Sequence, residues 1–437
     1  MPLKPVQALF SEPWLAFNRV LTHRVLSWRL GRRSSRRAYE PVPGSLLYVA
    51  ASALPYHTSG YTNRTHEVIC AMQAAGARVH AVTRAGYPAD RKDRLADASG
   101  AETVVDGVRY RHLAHPANNR PALQYALQAA PVIAALAARE RVAVIHAASN
   151  HVNALPALLA ARQLSIPFQY EMRGLWELTR VSRMPAYEGS QAYRQGLQLE
   201  GLVAAHADRL FVISAQLGRY VQAAWGVAEE RMALLPNCVD PERIVPADPL
   251  GVVPDTVGYA GSLIGYEGLD TLIDAVSLLR RAGRPVRVEV IGEGEARAQL
   301  EAQVSRLGLA AAVHFHGRMP PAAARDMLGR CALVCIPRKP FKVCEIVPPL
   351  KRVEAMAMGK PVIVPDLPVF RDEMGDEPAG WLFRAGDAAD LARVVDGALS
   401  DGAGLAALGL AARAYASTRR RWHDFIIAAL PDGRARL

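Results

Sequence analysis

The most constraining feature of this 437-residue sequence is an alternation of strand-like and helix-like segments that runs through the chain twice. The first series contains strand patterns such as SLLYVAAS, RVHAVTR, VAVIHAAS and PFQYEMR, separated by helix patterns such as THEVICAMQAAGA and NALPALLAARQL. A proline-rich stretch, IVPADPLGVVPDTV, interrupts the series, which then restarts with TVGYAGSL and GLDTLIDAVSLLRRAG. Such alternation is typical of a parallel sheet covered by helices on both faces. The sequence therefore predicts an α/β protein with two successive units.

These two series set the predicted domain boundaries. Residues 1–40 are a basic N-terminal extension, and residues 41–245 are a first Rossmann-like domain. Residues 246–257 are a linker, residues 258–410 a second Rossmann-like domain, and residues 411–437 a C-terminal helix that returns to the first domain. Ligands of open α/β sheets bind at the carboxyl ends of the strands. Two facing units therefore predict a site in the cleft between them.

The net charge of +11 does not indicate a nucleic-acid-binding protein. Residues 1–40 hold eight basic and two acidic residues, so this tenth of the chain carries +6 and the remainder only +5. No base-stacking motif accompanies the charge, and we expect no nucleic-acid partner. The five cysteines form no paired framework, which indicates a reducing, cytoplasmic setting, and their spacing fits no common zinc module. No stretch has the roughly twenty apolar residues needed to cross a bilayer.

The N-terminal extension contains a predicted amphipathic helix. Its apolar residues recur at three- and four-residue steps, with three arginines elsewhere on the surface. The apolar residues are Trp14, Phe17, Leu21, Val25 and Trp28, and the arginines are Arg19, Arg24 and Arg29. Two interpretations are open: the helix lies in an anionic membrane interface, or it packs on the main body of the protein.

The window from Arg338 to Asp366, RKPFKVCEIVPPLKRVEAMAMGKPVIVPD, has the strongest functional signal. It holds four of the six lysines in the chain, together with the acids Glu345 and Glu354. Cations interleaved with acids at a loop-to-helix junction suit a ligand that carries both a diphosphate and sugar hydroxyls. This window therefore predicts a nucleotide-sugar site.

Seven ordered motifs resemble those of the retaining glycosyltransferases of family 4, which have two Rossmann-like domains in the GT-B fold. They cover roughly residues 45–430 and read SGYTNRT, YEMRGLWE, LLPNCVD, GYAGSLIGYEGLDTLIDA, VIGEGEARAQLEAQVSRLGL, VHFHGRM and PPLKRVEAMAMGKPVIVPD. The first two and the last are similar to a subgroup linked to the assembly of bacterial surface or exported polysaccharides.

The resemblance implies a metal-independent transferase that needs no cofactor and no protein nucleophile. It would move a sugar from a nucleoside diphosphate donor to a glycan or lipid-linked acceptor, and would work in the cytoplasm or on the inner face of the membrane. Glu354 matches the family acid that binds the nucleotide ribose. Glu345 is the candidate for the acid at the donor sugar, although eight residues rather than the family's seven separate the two.

The resemblance also marks a departure at the diphosphate site. The family places an arginine and a lysine in the glycine loop after the first strand of the second domain, where this chain has Ser262 and Glu267. We therefore expect Arg338 and Lys351 to supply the missing charge and, with Glu345, to form the catalytic set. The remaining predicted donor-binding residues are Gly261, Ser262, Gly292, Gly294, Leu350 and Glu354.

A second group of residues is predicted to bind the acceptor or line the cleft. They lie in the loop after SLLYVAAS or near the carboxyl ends of VAVIHAAS and PFQYEMR, and a glycine in the first loop lets backbone N–H groups approach a ligand. They are Gly60, Tyr61, Thr62, Arg64, His146, Ser149, Glu171 and Arg173. An alternative for Glu171 and Arg173 is that these opposite charges simply pair with each other.

Two other functions remain open at this point. The same fold supports nucleotide-sugar epimerases and glycosyl phosphorylases, although no signature of a lysine-bound phosphorylase cofactor is present. A non-catalytic partner subunit that kept the fold is the third hypothesis, which Ser262, Glu267 and the shifted acids motivate. Binding of nucleotides or nucleotide sugars would discriminate among them.

Overall fold

The computed structural model describes residues 11–31, 39–91, 100–374 and 379–431. The chain divides into two compact units, residues 1–236 with 423–437 and residues 237–422. Each unit has its own mainly parallel sheet with helices packed on it. The predicted α/β class with two Rossmann-like domains is confirmed.

In the described residues, the first unit has an eight-stranded sheet in the order β3-β4-β2-β1-β5-β6-β7-β8. Its strands are β1 Val42–Ala50, β2 Arg78–Thr83, β3 Glu102–Val105, β4 Val108–His112, β5 Val142–Ala148, β6 Phe168–Met172, β7 Arg209–Val212 and β8 Met232–Leu234. Its helices are α1 Glu12–Leu30, α2 Gly60–Ala74, α3 Ala122–Arg139, α4 His151–Leu164, α5 Trp176–Val181, α6 Gln191–His206 and α7 Ala215–Trp225. Only the pair β3 and β4 is antiparallel among these strands. The strand order reverses between β1 and β5, which places a switch point there.

The second unit has a six-stranded parallel sheet in the order β11-β10-β9-β12-β13-β14, as far as the described residues show. Its strands are β9 Val253–Ala260, β10 Arg287–Ile291, β11 Val313–Gly317, β12 Cys331–Cys335, β13 Val362–Pro365 and β14 Gly380–Phe383. The helices that follow α7 are α8 Leu269–Arg281, α9 Arg297–Arg306, α10 Pro321–Arg330, α11 Lys342–Ile346, α12 Leu350–Ala357, α13 Pro368–Met374, α14 Ala388–Ser400, α15 Gly402–Arg419 and α16 Trp422–Ile426. This is the strand order of Rossmann sheets, with its switch point between β9 and β12.

The domain boundaries differ from the predicted ones. The first unit ends at residue 236, not 245, and the return to it comes after residue 422, not 410. Residues 253–257 of the predicted linker belong to β9, because prolines and polar residues are tolerated at the start of a strand. Helix α15 stays with the second unit, where Arg413 donates hydrogen bonds to the carbonyls of Pro241 and Ile244, both at 2.8 Å.

Helix α1 packs on the first unit through a stripe of buried polar and apolar residues. Asn18 is buried and donates to Gln124 Oε1 of α3 at 2.8 Å, and Arg19 donates to Gln195 Oε1 of α6 at 2.8 Å. On the face that the sequence predicts as apolar, Phe17 and Trp28 are 55% and 61% exposed, whereas the other three residues are half-buried. The predicted helix is therefore confirmed, and it packs on the body. The four arginines between residues 32 and 38 lie outside the described residues.

In the described part of the chain, no helix by itself has the length and apolar composition needed to cross a membrane. Helices α14 and α15 meet these criteria only when taken together, and they are bent by 97° where they join. The alanine-rich helix α3 buries nine of its residues in the first unit.

Candidate functional site

Two glycine loops meet at the carboxyl edge of the second sheet. The N–H of Gly261 donates to the Ile291 carbonyl at 2.9 Å, and a Cβ added to Gly292 would lie only 1.8 Å from the Gly261 carbonyl oxygen. A Cβ on Gly294 would lie 2.2 Å from the carbonyl oxygen of Leu263. Gly292 has a φ of +139°, a conformation that L side chains rarely adopt. The predicted glycines are thus brought together, and close contact between the loops requires them.

A cluster of four polar side chains, here called the Glu267 cluster, lies beside these loops. It consists of Tyr259, Glu267, Arg338 and Lys351. Arg338 binds Glu267 through two hydrogen bonds, Nη2 to Oε1 at 2.9 Å and Nε to Oε2 at 3.3 Å. Lys351 Nζ donates to Glu267 Oε2 at 2.7 Å and to the Tyr259 hydroxyl at 2.8 Å. Glu267 follows β9 and Arg338 follows β12, so their ion pair spans the switch point where such sheets bind ligands.

The Glu267 cluster carries a net positive charge. Burial by itself raises the pKa of Glu267, but the charges of Arg338 and Lys351 outweigh it and lower the pKa to about 2. One carboxylate is therefore shared by two cations. Burial raises the pKa of Tyr259 well above its usual value, so its hydroxyl stays neutral. The four residues of the Glu267 cluster therefore carry one positive charge between them.

Lys351 is the member of the cluster that a ligand can reach. Its side chain is 17% exposed, against 9% for Arg338 and 4% for Glu267. A Cβ built on Gly261 would lie 2.7 Å from Lys351 Nζ, so the ammonium is held directly over the glycine loop. Among the described residues, this nitrogen has two hydrogen-bond acceptors, whereas an ammonium has three donors. Arg338 makes a further hydrogen bond within the protein, since its Nη1 donates to the Val347 carbonyl at 2.9 Å.

The first unit has its own arrangement at the switch point between β1 and β5. The Tyr61 hydroxyl donates to the Ser149 carbonyl after β5 at 2.8 Å and accepts from the Ala51 N–H after β1 at 3.3 Å. Thr62 belongs to the capping box that starts helix α2. Gly60 is the first residue of that helix, and a Cβ there would meet no atom within 4 Å. Packing therefore does not require the glycine at position 60.

Four other predicted acceptor residues form a buried network around Glu171. Arg64 Nη2 and Arg173 Nη2 each lie 2.8 Å from a carboxylate oxygen of Glu171, and the Tyr48 hydroxyl donates to it at 2.8 Å. His146 Nε2 lies 3.4 Å from the same carboxylate. All five side chains are buried. The structure favours the alternative that these charges pair with one another. We therefore expect the network to stabilise the first unit.

Both parts of the chain match family descriptions of glycosyltransferases. Residues 59–238 match the family described as "Glycosyl transferase 4-like domain", and residues 249–416 match "Glycosyl transferases group 1". The chain belongs to the group 1 glycosyltransferases. The two matched segments contain both switch points described above, and they bear out the resemblance of the seven motifs.

A named relative of this glycosyltransferase is the D-inositol 3-phosphate glycosyltransferase of Nocardia farcinica. The two are 28% identical over 233 residues, which make up 50% of this chain and 51% of the relative. The 2-deoxystreptamine glucosyltransferase of Streptomyces kanamyceticus is also 28% identical, over 52% of its length. The chain thus spans about half the length of these curated relatives.

A solved structure shows the same fold over nearly the whole chain. HepE of Anabaena, in complex with UDP, superimposes with a TM-score of 0.64 at 18% identity, covering 87% of this chain and 97% of that one. At this level of identity the likeness establishes the architecture alone. It confirms the GT-B class that the motifs imply.

The two predicted acids lie on different helices of the second unit. Glu345 is on the short helix α11, where its carboxylate accepts from Lys342 Nζ at 2.8 Å, outside the Glu267 cluster. Glu354 lies one turn after Lys351 on α12, and Leu350 is the first residue of that helix. The carboxylate that sequence reasoning missed is Glu267. The sequence does contain a signal for it. By the motif resemblance a lysine is expected at position 267, where this chain has an acid, and a lysine, Lys351, follows PPL in the last motif.

Proposed function

We propose that the protein transfers a sugar from a nucleoside diphosphate donor to a hydroxyl of a glycan or lipid-linked acceptor during the assembly of a bacterial polysaccharide. The main observation behind this proposal is the position of the Lys351 ammonium. It lies over the glycine loops at the carboxyl edge of a sheet with the Rossmann strand order. The membership of the chain in group 1 and the UDP complex of HepE support a nucleoside diphosphate donor. The motif resemblance supports the polysaccharide role.

The proposed reaction retains the anomeric configuration and uses no resident metal. The acceptor hydroxyl attacks the anomeric carbon from the face that the nucleoside diphosphate leaves, and the bond from that carbon to the phosphate oxygen breaks. The hydroxyl proton passes to the departing phosphate oxygen. Negative charge grows on the departing phosphate, and preorganised cations and N–H groups stabilise it most when they are fixed beforehand. Lys351 is fixed by Tyr259 and Glu267, and it can supply this stabilisation.

Incubation with a panel of nucleotide sugars tests the proposal. We expect UDP or GDP to raise the melting temperature of the purified protein, and the matching sugar donor to release its nucleotide when a glycan or lipid-linked acceptor is added. Failure to bind any nucleoside diphosphate or nucleotide sugar would overturn the function. Binding without release, with any acceptor, would instead favour the non-catalytic partner, which the replaced residues Ser262 and Glu267 motivate.

The proposal includes a membrane-bound acceptor, because the outward face of α1 suits an anionic bilayer. The rings of Trp14 and Phe17 lie 5.6 Å apart, and Phe17 and Trp28 are exposed. Arg24 and Arg29 are exposed on the same helix. Aromatic side chains beside arginines favour the interface of an anionic membrane, and residues 1–40 carry +6.

Changing both Phe17 and Trp28 to serine is expected to weaken sedimentation with phosphatidylglycerol vesicles by about tenfold or more, since two aromatic contacts are lost. Trp176→Ser is the matched control, because this tryptophan is 62% exposed in the same unit but lies on α5. Phosphatidylcholine vesicles control for charge. Equal sedimentation of the double variant and the wild type would refute the membrane contact.

A further inference from the structure

We infer that Glu267 holds the Lys351 ammonium, on helix α12, in position against the donor diphosphate. Glu267 is then a positioning residue, and Lys351 is the group that touches the donor. The inference rests on the proposed function, because it assigns the phosphate contact of that same site.

The position of Glu267 is fixed by the loop that carries it. Gly268 has a φ of +75°, and a Cβ there would lie 1.9 Å from the Pro337 carbonyl oxygen. The loop after β9 therefore rests directly on the loop after β12. Only glycine fits after Glu267, so its carboxylate is held at the switch point, within reach of both Arg338 and Lys351.

The surrounding charges explain why an acid suits position 267. A lysine at position 267 would face Arg338 and Lys351 in a buried site, and three cations without an acid repel one another strongly. With Glu267 in place, Arg338 and Lys351 are both paired, and one positive charge is left over. The side chain of Lys351 also occupies the space over Gly261.

The same contacts make the charge of Lys351 depend on Glu267. Burial lowers the pKa of Lys351, the carboxylate of Glu267 opposes this, and Arg338 adds to the lowering. Glu354 on the same helix also raises the pKa, whereas Tyr259 and the buried thiol of Cys344 face the ammonium in their neutral forms. Removing the charge of Glu267 therefore lowers the pKa of Lys351 further. Diphosphate binding should then be lost at a lower pH than in the wild type.

A charge-exchange cycle tests the inference, with the affinity for UDP measured by calorimetry between pH 6 and pH 10 and uridine as the phosphate-free probe. We expect Glu267→Gln to weaken UDP binding by about tenfold, to shift its alkaline limb to lower pH and to leave uridine binding nearly unchanged. Lys351→Glu should lose UDP binding. The double change Glu267→Lys/Lys351→Glu should restore it to within about tenfold of the wild type.

Asp270→Asn is the matched control, since Asp270 follows closely in the chain but pairs with Lys339 at 2.5 Å. It should leave UDP affinity unchanged. A Glu267→Gln protein with wild-type affinity and pH profile would overturn the inference, as would a double variant no better than Lys351→Glu. If Glu267→Gln does not fold, the UDP affinity of the double variant, compared with that of Lys351→Glu, tests the inference by itself. A wild-type protein that binds no nucleotide would instead defeat the proposed function.

Discussion

Replacing Lys351 with methionine is expected to weaken the binding of UDP by about 10- to 100-fold, while the binding of uridine changes little. A hydrogen bond to a charged group contributes about 1.5–3 kcal/mol, and methionine keeps the length of the side chain but not its charge. Sugar transfer should fall by more than binding, because the departing phosphate gains charge in the transition state. Calorimetry and a nucleotide-release assay measure the two effects separately.

Lys339→Met is the control for this change. Lys339 lies in the same window and forms an ion pair with Asp270, but it is not part of the Glu267 cluster. Its loss should leave the ratio of UDP to uridine affinity as it is in the wild type. If Lys351→Met kept the wild-type ratio, the phosphate contact would have to be assigned to another group.

Replacing Glu171 with glutamine is expected to lower the melting temperature by roughly 6–20 °C. The change removes the carboxylate that pairs with both Arg64 and Arg173 in a buried site, and breaking a buried ion pair costs about 3–5 kcal/mol. Thermal unfolding followed by circular dichroism measures the effect. Glu102→Gln is the control in the same unit, because its pairs with Arg109 and Arg111 are partly exposed and surface pairs contribute little.

The contribution of Glu171 should also appear in the pH dependence of stability. Burial raises the pKa of this carboxyl, but Arg173, Arg64 and the hydrogen bond from His146 outweigh it and hold the pKa well below its usual range. The stabilisation is therefore complete above the unfolded-state pKa of about 4.3 and is lost as the pH falls toward the folded-state value. Glu171→Gln should remove this acid-sensitive component. A variant as stable as the wild type at neutral pH would contradict the role assigned to the network.

The architecture of both units could be predicted because its signals are local. A continuous apolar run, such as the one in β1, indicates a buried strand without reference to the rest of the chain. The glycines after β9 and β10 likewise indicate loops with close backbone contacts. The unit boundaries were less accurate, because the prolines that suggested a linker also occur at the start of β9. The resemblance of ordered motifs added the family, which the two matched segments confirm.

The sequence by itself determined the two Rossmann-like units, the glycine loops and the membership in a glycosyltransferase family. Tertiary structure decided which charges meet. Glu267 and Lys351 are 84 residues apart, and the pairing of loops at a switch point brings them within 2.7 Å. It also left Phe17 and Trp28 of α1 exposed and buried Asn18, which donates a hydrogen bond to Gln124 of the neighbouring helix α3. The periodicity of a sequence indicates which side chains can be buried. The residues that contact those side chains are determined only when distant segments of the chain pack together.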